Sequence, residues 1–314
     1  MKRLILKRLL QLGIILLSVS VAVFLLVNLA PGDPAYIKLS AQGETPTNER
    51  VEEERIAMGL DQPLHIQYFS WLGQVIQGDF GSSYRTDQPV INTLLKSFPY
   101  TLVLALAAFI VMLLISVPLG VLTAVKKNSL ADYFIRVLSF FSASLPEFWL
   151  ALILLYLFAL QLKWLPVMGK GELKSMIIPA FSLGVVLSGK YIRQIRTALL
   201  EELDADYALG ARTRGLTEKT VMYAHIMRNA SISILTMLAM SFGALLGGTA
   251  VIENMFMWPG MGRMIVEAIT WRDIPVIQGF ALFMAGVYCL INLMVDLSYG
   301  LLDPRIKIRK ESGQ

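Results

Sequence analysis

Side chains suited to catalysis are scarce in this 314-residue chain. His65 and His225 are its only histidines and Cys289 its only cysteine. The histidines lie far apart, no His-Glu-x-x-His pattern occurs, and one thiol builds neither a disulfide nor a thiolate metal cluster. His225 reads as a capping or packing residue, and Cys289 as a small residue between helices. A Gly-x-x-x-x-Gly-Lys-Ser/Thr phosphate loop is also missing from the 314 residues, so no ATP-splitting site is expected. A membrane hydrolase finds little support.

Three features remain that could do work of another kind. Glu147 follows Pro146 inside an apolar run, and a carboxylate at membrane depth is costly enough to suggest a function. An interfacial structural role and a place on a transport pathway both stand. Gly243 and Gly247 form a small-xxx-small pair, which either lets helix backbones approach or lines a narrow pore. Between 201 and 219 the chain is charged and runs as a helix, a Gly-Leu-Thr-Glu break and a second helix. Gly215 reads as a stop and Thr217 as a cap. That segment is either a grip for another protein, with small residues Ala208, Gly210 and Ala211, or a solvated connector.

The elements that must hold these residues are long and apolar. Hydrophobic residues make up 55% of the chain, well above a soluble domain carrying its usual charge. Crossing about 30 Å of hydrocarbon takes roughly 20 helical residues. Uncharged runs of that order cover Leu9–Gly32, Ser97–Val125, Ala230–Ile252 and Ile274–Val295. Two further spans are expected from about Ile135 to Gln161 and from about Met176 to Leu200; Lys190, Arg193 and Arg196 suggest that the latter leaves the membrane on the inner side. The basic start resembles a secretory signal, but the apolar stretch exceeds a signal core of roughly 7–15 residues and Pro31-Gly32-Asp33-Pro34 cleaves poorly. An uncleaved anchor is expected.

Basic residues near span ends mark the inside. Lys2, Arg3, Lys7, Arg8, Lys126, Lys127, Arg136, Arg212, Arg214, Lys219, Arg228, Arg305, Lys307, Arg309 and Lys310 fall there together if six spans are threaded; Lys163, Lys170 and Lys174 run against the rule. The net charge of +5 then reports topology and gives little reason to invoke nucleic acid. From 33 to 96 the chain is net acidic and long enough to fold outside. Leu64, Tyr68, Trp71, Leu72, Val75 and Ile76 recur on one helical face after Asp61 and Pro63, and a shorter polar helix is expected from Asn48 to Met58, stopped by Gly59.

The pattern as a whole resembles the inner-membrane permeases of ABC importers for peptides and nickel. The likeness rests on Ala30-Pro31-Gly32-Asp33-Pro34, Gly59-Leu60-Asp61-Gln62-Pro63, Asp79-Phe80-Gly81, Pro146-x-Phe148-Trp149, Trp258-Pro259-Gly260-x-Gly262-Arg263, Arg272-Asp273-x-Pro275 and Leu302-Asp303-Pro304-Arg305. It includes Asp206-Tyr207, Ala211-Arg212, Gly215-Leu216, His225 and Arg228-Asn229-Ala230. The family's acidic first position in the coupling loop is absent, and its Ile-x-Leu-Pro is replaced by His225-Ile226-Met227-Arg228. Ile252-Glu253-Asn254 looks more like the nickel and metal-chelate members.

The resemblance implies an all-α membrane protein of about six transmembrane helices with both termini cytoplasmic, in a bacterial or archaeal inner membrane. Its parts would be a first helix and short inner end (1–32), an exterior segment (33–96), a five-helix core (97–303) with a coupling loop at about 201–228, and a tail (304–314). It implies a subunit without its own ATPase site that moves nickel, a metal chelate or short peptides. A dipeptide or oligopeptide permease is the alternative within the family, and an ion-coupled carrier the competitor outside it. A second homologous permease, two cytoplasmic ATPases carrying ATP and Mg, and an extracytoplasmic binding protein are the expected partners; no cofactor is expected on this chain, and a metal site is left open. The ATPases would grip Asp206, Tyr207, Ala211, Arg212, Gly215 and Leu216. Trp258, Pro259 and Gly260, with Met264 to Ile269, would stand at the outer mouth, and Glu147, Gly243 and Gly247 on the pathway.

Overall fold

The computed structural model describes residues 2–43, 45–168 and 171–302. Lys170, the Asp303-Pro304-Arg305 end of the family pattern and the basic tail with Lys307, Arg309 and Lys310 lie outside the described residues. Regular structure among the described residues is helical, beside one isolated bridge between Ser82 and Pro89. In chain order the helices are α1 (Lys2–Leu29), α2 (Pro34–Ala41), α3 (Asn48–Ala57), α4 (Leu64–Ile76), α5 (Val90–Val125), α6 (Leu130–Ser144), α7 (Glu147–Leu154), α8 (Leu173–Leu203) and α9 (Asp206–Thr213). They continue as α10 (Glu218–Thr220), α11 (Met227–Gly248), α12 (Ala250–Met255), α13 (Met261–Thr270) and α14 (Ile274–Leu302); wide π-type turns at Leu155–Gln161 and Val221–Ile226 extend α7 and join α10 to α11.

Four helices are long and apolar enough to cross a membrane: α1, α5, α8 and α14. The count is six if each of two bent pairs is one span. The single span expected over 135–161 is one of those pairs, α6 and α7 with its π turn, bent by 100°. Its cause is local. Leu145 is extended at φ −77° and ψ 135°, because the residue before a proline is driven out of the helical region. Pro118, by contrast, sits within α5 without interrupting it, and Pro179 does the same in α8.

The chain divides into two compact units, and the division falls inside α5 after Thr101. The first holds residues 1–101 and 259–291. Here α4 lies along α1: the Phe24 ring stands 5.3 Å from Tyr68 and 5.8 Å from Trp71, and Ser20 and Tyr68 hydroxyls meet at 2.9 Å. The apolar stripe read at Leu64–Ile76 is thus a real helix with its aromatic face turned to a span. Thr47 caps α3, and Gly59, at φ +68°, closes the turn after it. Helix α2 falls within a stretch expected only in part to fold, although Asp33 caps it and Pro34 opens it. Lys38 then pairs with Glu54 at 2.6 Å and Arg55 with Asp33 at 3.1 Å. The start of α5, α13 and α14 share a core of Val90, Leu94, Met261, Ile265 and Val276.

The second unit holds, among the described residues, 102–258 and 292–302. Its frame is α8, which carries glycines where α5 and α6 come closest. A Cβ on Gly184 would meet Val111 at 2.7 Å and the Ala108 carbonyl at 2.8 Å; one on Gly189 would run into the α6 backbone at Ser139 and Ala143. On the other side, Gly120 of α5 faces Ile195. Close backbone approach through small residues is how helices gain contact where lipid supplies no hydrophobic drive.

Candidate functional site

Helix α9 stands at the end of α8. Ala208 and Ala211 are buried in a cluster with Ala124, Ile195, Leu199, Val221 and Ile226; their small side chains let α9 sit against α8 and the α10–α11 junction. Arg212 fastens the turn: Nη1 donates to the Leu203 carbonyl at 3.2 Å, and Nε donates to Glu218 Oε1 at 2.9 Å. Tyr207 donates to Glu202 Oε2 at 2.5 Å. Burial first, then the Glu202 carboxylate, push the Tyr207 phenol above its ordinary value, against a lowering hydrogen bond from Asn229. It is therefore protonated at neutral pH and remains a donor. Gly215 takes φ +80°, its amide donating to the Arg212 carbonyl at 2.9 Å. Thr217 then accepts from the Thr220 amide and starts α10. The helix, stop, cap and helix expected over 201–219 are all present.

The opposite face of this element is open, with a few large apolar side chains among charged and polar ones such as Asp206, Arg214 and Lys219. Leu209 is 60% exposed and Tyr223 62%, with Leu216 close by in sequence at 38%. Side chains of this kind, on a short helix pinned by buried alanines and an arginine, suit the groove of a second protein.

The remaining predicted residues are scattered. Trp258, in the second unit, is 1% exposed and its amide donates to the Glu253 carbonyl at 2.8 Å. Pro259 and Gly260, in the first unit, lead into α13, where the Met261 amide donates to Thr101 Oγ1 at 2.8 Å. Glu253 is fully buried and accepts from Thr249 Oγ1 at 2.8 Å, so Ile252-Glu253-Asn254 does not present an open ligand set. Among the described residues no three His, Cys, Asp or Glu side chains gather as a metal site. Glu147 is half-buried in the first turn of α7, where the free amides at a helix start favour a carboxylate. Gly243 is buried, while Gly247 is exposed with open space where a Cβ would stand.

One site went unforeseen. Asp132, at the start of α6, has no exposed surface. Arg196 of α8 grips both its oxygens, Nε to Oδ1 at 3.0 Å and Nη2 to Oδ2 at 2.9 Å. The Asn128 amide adds a bond at 3.0 Å, and Arg136 stands at 3.3 Å. Ser129-Leu-Ala-Asp132 carries the Ser-x-x-Asp sign of a capped helix start, so the local half was readable; the partner 64 residues away was not.

The model for the binding-protein-dependent transport system inner membrane component matches residues 116–308, and that for the N-terminal part of such membrane components matches residues 1–105. The chain belongs to this permease family. A protein of Brucella abortus (strain 2308) named as a peptide transport system permease is 39% identical over 315 residues, covering 98% of this chain and 99% of that one. The glutathione transport system permease protein GsiC of Salmonella typhimurium (strain LT2) is 37% identical over 305 residues, covering 97% and 99%. A membrane chain of the inward-facing MetNI methionine ABC transporter shares the fold, with a TM-score of 0.56 at 15% identity over 67% of this chain and 96% of that one. The permease is a multi-pass protein of the bacterial inner membrane; Leu209 and Tyr223 are exposed residues that the sequence reading did not single out, and Leu216, which it did, is exposed as well.

Proposed function

We propose that this permease imports short peptides, driven by two cytoplasmic ATPases that bind ATP and Mg and that grip α9, together with a second homologous permease and an extracytoplasmic binding protein. The observation that carries the reading is the α9 element: rooted on one face by Ala208, Ala211 and Arg212, and exposed on the other, where Leu209 stands out beside Asp206 and Thr213. A lever needs both. ATPase closure would push on Leu209 and Leu216, and the buried face would pass the motion to α8 and α11, switching the spans between two packed states. Without a phosphate loop of its own, the chain supplies the path and not the hydrolysis. The names of the two relatives favour a peptide cargo, and the buried Glu253 gives no separate support to a metal chelate.

Gly215→Val tests the lever in the assembled transporter. A β-branched residue at φ +80° is strained by about 1–2 kcal/mol, while no neighbour stands within 4 Å to clash with the new side chain. The complex should assemble and hydrolyse ATP while uptake falls several-fold. Uptake at the wild-type rate would remove α9 from the coupling path.

A further inference from the structure

One face of α8 carries polar chemistry that the coupling role does not use. Lys190, Arg193, Gln194, Thr197 and Glu201 follow one another at intervals of a helical face; with Ser233 and Met237 of α11 they line a groove of about 640 Å³. The opposite face, with Tyr191, Ile192, Ile195 and Leu199, is buried. The stripe lies towards the inner end of α8, where charged side chains turn to water or to protein.

We propose that this groove is a wall of the solute path and recognises both charged ends of a short uncapped peptide. The inference rests on the permease reading and names its cargo more closely. Lys190 and Arg193 form a positive pole for the terminal carboxylate, with the Arg193 guanidinium 5.7 Å over the Phe140 ring. Glu201 forms a negative pole for the terminal ammonium. At 1.5 Å per helical residue the poles stand about 12–16 Å apart, and an extended chain of three or four residues spans about 10–14 Å. The groove reads the two ends, so peptide side chains go largely unread.

The test uses the whole transporter in proteoliposomes with its binding protein and internal ATP, comparing uptake of Ala-Ala-Ala with its C-terminal amide. Because the binding protein is constant, a changed ratio belongs to the permease. Lys190→Gln with Arg193→Gln should cut the ratio of free acid to amide by about tenfold, the worth of one charge-assisted bond. Lys190→Arg with Arg193→Lys should keep the wild-type ratio. Glu201→Gln should lower the ratio of Ala-Ala-Ala to its N-acetyl form in the same way. A wild-type ratio in the Gln variants, or a loss of all uptake shared by the conservative pair, overturns the groove assignment. A wild-type transporter that imports none of these peptides overturns the cargo itself.

Discussion

Asp132 is a carboxylate with no exposed surface, held by Arg196 with two parallel bonds. A charge so placed is satisfied only while its partner stays, and removing one partner leaves the other uncompensated. Asp132→Asn should therefore lower the unfolding free energy in detergent by about 2 kcal/mol, towards the lower end for a buried pair because Arg196 still reaches solvent. Replacing both, Asp132→Leu with Arg196→Met, should recover part of that loss in the same melt. Tyr84 offers a second handle, outside the spans. Burial first, then the carboxylates of Asp273 and Glu54, push its phenol well above its ordinary value near 10. The folded protein thus keeps this proton where the unfolded chain releases it. The stability so gained is whole below about pH 10 and is lost as pH climbs through the raised value. The melting temperature should fall more steeply above pH 10 in the wild type than in Tyr84→Phe, and parallel curves would acquit Tyr84.

At the scale of elements, glycines separate into two kinds. Gly189 of α8 touches the α6 backbone, so Gly189→Ala forces the helices apart and should cost about 1–3 kcal/mol, with less folded protein recovered from the membrane. Gly247 of α11 has nothing within 4 Å, so Gly247→Leu should leave the melt of the isolated chain unchanged. Lost uptake in that variant would place α11 against the path or the second permease; full uptake would remove Gly247 from both. Much at this scale was legible. The Leu64–Ile76 stripe, the Gly215 stop and the Thr217 cap are local signals and were read from spacing and residue type. The bend before Pro146 falls inside a stretch read as one span, and its 100° could not be read from the sequence, since the angle is set by what α6 and α7 each pack on. Gly184 and Gly189 carried no such mark in the sequence, for their meaning lies in the helix across from them.

Whole-molecule threading turns on whether α6 and α7 make one pass or a re-entrant loop. Contacts of α6 along α8 run in order: Asp132 meets Arg196, Ser139 meets Gly189, and Ser142 Oγ donates to the Val185 carbonyl at 2.7 Å. So α6 climbs α8 in the antiparallel sense, and its end has reached only the middle of a 31-residue helix. Helix α7 also packs on α8, and the first half of α8 is the part that α6 leaves free for it. Since α7 turns by 100° from α6, labelling from the two sides decides between one pass and a re-entrant loop. With the bent pair as one pass, positions 128 and 168 lie on opposite sides and 128 shares its side with 214. In a Cys289→Ser background, single cysteines at Asn128, Met168 and Arg214 report this with a membrane-impermeant maleimide. In right-side-out vesicles the cysteine at 168 should label and those at 128 and 214 should not, and inverted vesicles should reverse the pattern. Labelling of 128 and 168 from the same side would make the pair a re-entrant loop, put an odd number of passes in the chain, and leave α9 and the N-terminus on opposite faces. The positive charge of Lys2, Arg3, Lys7 and Arg8 would then have to sit on the side away from the ATPases, against the bias that orients membrane helices.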